Sequence, residues 1–152
     1  MEHHLTTYIT HDTLISALGF GTQENLEAIR SYHSGITLQT DKRIADTPLL
    51  AATLSQERLQ QQAEAIGVSG YPRMEQLFIL TINELIRQSG QTLEDKTCGL
   101  ILSTTKGNID LLARHTEHPD EAVFLWKMAE NIAGYFLSLI HISEPTRPRL
   151  IS

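Results

Sequence analysis

The stretch EAVFLWKMAENIAGYF, residues 121–136, is apolar on nearly every side. A helix at a protein surface shows one apolar stripe, whereas one that is apolar all round must lie inside. The sequence therefore predicts an interior helix here, and an interior helix demands covering elements on more than one side. A second helix is written into YPRMEQLFILTINELIRQSG, residues 71–90, where Met74, Leu77, Phe78, Ile82, Leu85 and Ile86 recur at helical spacing. Pro72 stands at its start and Gly90 just past its end, the asymmetry that helix termini favour. Between them, TCGLILST at 97–104 is a short apolar run with polar flanks, which predicts a fully buried central strand.

The chain before residue 71 reads as smaller elements. LTTYIT is short, β-branched and alternating, so it suits an opening strand, and Gly19 and Gly21 follow as turn residues. TQENLEAIRSYHSG predicts a surface helix with Thr22 as its cap, Leu26 and Ile29 on its apolar side and Gly35 as its stop. SQERLQQQAEAIG repeats the design, with Ser55 as cap, Leu59, Ala63 and Ile66 on one face, Gly67 at the end and the glutamines on the solvated side. After residue 107 a short helix is expected, with a break at Pro119. Strands alternating with helices give an α/β class with a layered sheet.

Composition bounds the function. The chain has 152 residues, 41% of them hydrophobic, which suits one ordinary globular domain. Its formal charge is −6 and its Lys and Arg residues do not cluster, which argues against nucleic acid as a partner. A single cysteine, Cys98, permits no intrachain disulfide, and no run reaches the length of a membrane span; a cytoplasmic location is the expectation.

The candidate chemistry is sparse. His3, His4, His11, His33, His115, His118 and His141 share no ligand spacing with acidic or Cys partners, so no metal site is expected. Cys98, inside the expected strand, reads as an inert small hydrophobe rather than a nucleophile. STTKGN, residues 103–108, has the outline of a phosphate loop but lacks the spaced glycines before the Lys and the hydroxyl residue after it. Asn131, within the apolar helix, is expected to satisfy a neighbouring backbone group.

Four stretches, taken in order, resemble the N-terminal half of a β-ketoacyl-acyl carrier protein synthase. They are YITHDTLISALGFGTQENLEAIRSYHSGI, RMEQLFILTINELIRQSG, CGLILSTTKGNIDLL and MAENIAGYF, the last similar to the family's Asn-x-x-Ala-Gly helix. The resemblance implies an incomplete N-terminal half of a thiolase-type layered α-β-α-β-α fold. It also implies a cytoplasmic acyltransferase that joins carrier-bound acyl groups by decarboxylative Claisen condensation in fatty-acid or polyketide assembly. Its partners would be acyl carrier protein, with acyl and malonyl thioesters, and a second subunit, identical or paralogous; no cofactor, membrane or nucleic acid is implied. The family's catalytic Cys and two histidines follow the stretches matched here, so no catalytic residue carries over. Thr104, Thr105, Lys106 and Gly107 would form a loop beside the acyl pocket. Their polarity departs from the family, and a buried unpaired Lys is costly, so Lys106 either points to solvent or marks a different pocket. A catalytically silent partner subunit and an unrelated α/β binding module are the alternatives.

The string LSLIHISEPTR, residues 137–147, resembles one reading frame of a transposase-type sequencing adapter, with Pro148, Arg149 and Leu150 in the place of an index. The expected organisation is therefore a truncated synthase domain at 1–136 and a non-native tail at 137–152.

Overall fold

A computed structural model describes residues 6–91, 93, 98–114 and 121–140, the side chains at 113, 114 and 137–140 excepted. The described chain is mixed α/β, with four α-helices and two small antiparallel sheets. It forms two compact units, one of residues 1–70 and 80–90, the other of 71–79 and 91–152.

The first unit opens with a tight hairpin, β1 (Ile15–Ser16) against β2 (Gly19–Phe20). Asn25, only 1% exposed, fastens this hairpin to helix α1 (Thr22–Arg30). Its Nδ2 donates to the carbonyls of Leu14, Gly19 and Gly21 at 3.2, 3.0 and 2.8 Å, and its Oδ1 accepts from the Ser16 hydroxyl. A side chain so fully bonded can be buried without the penalty of an orphaned amide. Glu24 accepts from the Phe20 N–H at 2.9 Å and is gripped in a fork by Arg58 at 2.9 and 3.0 Å.

A second hairpin pairs β3 (Ile36–Gln39) with β4 (Leu49–Ala52). Its register sets Ile36 opposite Ala52 and Leu38 opposite Leu50, which puts these four side chains on one face. That face is the exposed one, with Leu50 70% accessible. Helix α2 (Gln56–Ala65) begins as its sequence predicts: the Ser55 hydroxyl accepts from the Arg58 N–H at 3.2 Å. Leu59 and Ala63 are fully buried, and the chain leaves the helix through Gly67 at φ 73°.

Helix α3 (Arg73–Ser89) follows Pro72 and ends at Gly90, φ 65°, as expected. In the first unit its Ile82 joins Leu59, Ala63 and Val68 as buried core. In the second unit the buried apolar set is Ile79 with Met128, Ile132 and Phe136 of α4 (Leu125–Ile140). Tyr71 and Tyr135 meet edge to face at 6.1 Å. Two 3₁₀ turns, Ile109–Arg114 and Glu121–Val123, precede α4.

Several expectations fail. Residues 6–10 of LTTYIT form no strand, with Tyr8 76% and Ile9 94% exposed; without a partner strand, alternation alone cannot satisfy the backbone. Residues 98–104 form no central strand either, and Ile101 is 93% exposed. Among the described residues the sheets are two hairpins, not one layered sheet. Thr22 caps nothing at α1: its hydroxyl donates to the Asp12 carboxylate at 2.8 Å, and Gly21 is the N-cap. The helix also stops before Gly35, at Tyr32 in the left-handed region (φ 57°), closed by a His33 N–H bond to the Ala28 carbonyl at 2.8 Å. Leu26 and Ile29, its supposed apolar side, are exposed. Among its described side chains helix α4 is buried along Met128, Ile132 and Phe136, while Phe124, Leu125 and Trp126 remain open. It continues to Ile140. Residues 141–152 of the adapter-like tail, and the break at Pro119, lie outside the described residues.

Candidate functional site

The most unusual chemistry in the second unit is a buried carboxylate. Glu75 enters α3 one residue after Met74 and falls in phase with Ile79, four residues on, so the helix period carries it inward. It is 0% exposed. Its Oε1 accepts from Asn108 Nδ2 at 2.8 Å and from Asn131 Nδ2 at 3.2 Å, and its Oε2 accepts from Asn131 at 3.3 Å. Burial pushes the Glu75 carboxyl above its ordinary 4.5, because a charge removed from water is penalised. The two amides and the Lys127 ammonium oppose that rise. Lys127 is itself held by Glu130 at 2.8 Å.

Asn108 is also fully buried, and its Nδ2 donates a second bond to the Ala122 carbonyl at 2.8 Å. Its Oδ1, equally enclosed, accepts no hydrogen bond among the described residues. The loop that delivers it is fixed locally: the Thr104 hydroxyl accepts from the N–H groups of Lys106 at 3.3 Å and Gly107 at 3.1 Å. Gly107 sits at φ 56°, and a Cβ there would come within 2.5 Å of Leu125 Cδ2. Thus a tight turn passes under the start of α4 and aims Asn108 at Glu75.

The four loop residues singled out in the sequence are divided by this geometry. Gly107 is buried and Thr104 half-buried, whereas Thr105 and Lys106 are exposed. Lys106 therefore takes the first of its two expected places, in solvent. Cys98, read as a buried hydrophobe, is exposed because the strand meant to enclose it does not form. Asn131 bonds a carboxylate rather than the expected backbone group. Glu75 was not distinguished in the sequence, although an acid in phase with Ile79 and Ile82 on an apolar helix is a readable signal. Of the seven histidines only His11 and His33 fall among the described residues. No group of three or more His, Cys, Asp or Glu side chains is placed for a metal among those residues.

The first unit holds a half-open cleft of about 210 Å³, lined by Phe20, Ile66, Leu80, Asn83, Glu84 and Arg87 among others. That volume is below the roughly 300–1,000 Å³ of ligand pockets. Glu84 and Arg87, three residues apart on α3, neutralise each other in a fork at 2.8 and 2.6 Å on one wall of it. The Glu75 cluster is the stronger candidate. No helix among the described residues is long and apolar enough to cross a membrane. No family model, curated protein or solved structure matches the chain.

Proposed function

We propose that this chain is the N-terminal portion of a β-ketoacyl-acyl carrier protein synthase. The observation that carries the reading is the convergence at Glu75. Glu75, Asn108 and Asn131 come from RMEQLFILTINELIRQSG, CGLILSTTKGNIDLL and MAENIAGYF, three of the four stretches that resemble the family, and they bond to one another across 33 and 56 residues of chain. Lys106 in solvent supports it further, since a loop beside an acyl pocket would then gain no buried charge.

In this reading the whole protein accepts an acyl group from a carrier protein on a cysteine, dividing one difficult step into two. A malonyl thioester then loses carbon dioxide, and its carbanion attacks the acyl thioester and expels the cysteine thiolate. In the family those groups follow the stretches matched here, so the reading assigns Glu75, Asn108 and Asn131 an architectural role. The layered thiolase-type fold, the paired subunit and the cytoplasmic location belong to the same proposal. It requires residues 98–104 to be paired as a strand in the whole protein, whereas in this structure they form none.

The test is the gene at its native locus, read beyond the codon for Phe136. The reading expects family sequence there in place of LSLIHISEPTR, with a Cys shortly after the Asn131 helix and two histidines later. A family continuation lacking that Cys would give the silent partner subunit instead. Sequence unrelated to the family, or LSLIHISEPTR itself in the genome, would overturn the proposal.

A further inference from the structure

We propose that Glu75, Asn108 and Asn131 form a proton-operated clamp that sets how the 103–108 loop is held against the start of α4. The inference stands on the geometry and goes beyond the condensing-enzyme reading, with which it neither stands nor falls.

With Glu75 ionised, both amides turn N–H groups toward it, and Asn108 Nδ2 bridges from Glu75 to the Ala122 carbonyl. This arrangement leaves Asn108 Oδ1 buried with no donor among the described residues, a cost that every ionised molecule bears. A protonated Glu75 has the opposite need: its O–H must find an acceptor. The same amide supplies one by turning over about its last torsion, so that Oδ1 accepts from Glu75 and Nδ2 leaves Ala122. One proton taken up from solvent thus reverses the sense of the Glu75–Asn108 bond and breaks the Asn108–Ala122 bond, so that two bonds from Nδ2 give way to one accepted by Oδ1. Ala122 sits in the 3₁₀ turn that leads into α4, and Gly107, beside Asn108, packs on Leu125. Loss of the Asn108–Ala122 bond therefore changes how the loop holds that end of the helix.

Lys127 on α4 faces Glu75 and favours its ionised form, while Lys127 itself answers to Glu130 and Glu121. Asp110, on the 3₁₀ turn after the loop, is exposed. Burial of Glu75 outweighs these and holds its carboxyl above 4.5.

The chain carries its own reporter, because its one tryptophan, Trp126, lies in the first turn of α4 stacked on Phe124 at 6.3 Å. The full chain would be titrated from about pH 4 to about pH 8, spanning the ordinary carboxyl and imidazole ranges. The Glu75 side-chain carboxyl ¹³C signal, identified by its loss in Glu75→Gln, would be followed beside Trp126 emission. The clamp predicts a Glu75 midpoint above 4.5 and a Trp126 component with the same midpoint. That component should vanish in Glu75→Gln. In Asn108→Ala the carboxyl should still titrate while Trp126 no longer follows. A Glu75 midpoint at or below 4.5, or a wild-type Trp126 with no component at that midpoint, overturns the proposal even if neither variant folds. Persistence of the component in either variant also overturns it.

Discussion

At the scale of single residues, Gly107 and Glu75 show how backbone and charge are committed to one spot. Gly107 adopts φ 56°, where an L side chain meets its own backbone, and its missing Cβ makes room for Leu125. Leu125 Cδ2 is the end of a flexible side chain and can shift, so the backbone term dominates. Gly107→Ala should destabilise the second unit by about 1–2 kcal/mol, read by urea unfolding. Trimming Leu125 to Ala in the same chain should recover only a small part of that loss. The carboxylates give a pH profile with opposite slopes. Glu75, raised by burial, contributes proton-linked stability that is full below 4.5 and is lost as pH rises through its higher folded value. Glu84, lowered to about 2 by its bonds from Arg87 and then Gln88, contributes stability present above 4.5 and lost as pH falls toward about 2. Unfolding measured across this range should show the upper slope flattened in Glu75→Gln and the lower one flattened in Glu84→Gln.

At the scale of elements, helices with terminal signals were legible and strands were not. Ser55, Gly67, Pro72 and Gly90 bound α2 and α3 where the sequence places them, because caps and left-handed glycines act locally. Residues 6–10 and 98–104 read as strand in the sequence, yet a strand exists only by pairing, and pairing partners are not written in the run itself. The reverse case is β3 and β4, which do pair although their apolar face points outward. Burial, not apolarity, then decides what a substitution costs. Leu59→Ala, at a site with no exposure, should cost about 2–5 kcal/mol. Leu50→Thr, at 70% exposure, should stay within about 0.5 kcal/mol. Equal losses at the two positions in chemical denaturation would mean that the hairpin face is covered.

At the scale of the whole molecule, much apolar surface is open: Ile101 at 93%, Leu50 at 70%, Leu38 at 62% and Trp126 at 58%, with Phe124 and Leu125 near half. Exposed apolar surface on this scale favours association. The 152-residue chain should elute from size exclusion larger than its 17.1 kDa, increasingly so with concentration; a monomer at every concentration would contradict this. The site was legible only in part. Asn131 stood out as an amide inside an apolar helix, but its partner Glu75 lies 56 residues away, and nothing in either segment announces the other. That meeting of distant stretches is the central claim, and a double-mutant cycle measures it. Unfolding free energies of Glu75→Ala, Asn131→Ala and the pair should leave a coupling of about 0.5–3 kcal/mol, as for side chains in one hydrogen-bond network. Losses that simply add, to within about 0.5 kcal/mol, would place the two residues in separate environments and contradict the account.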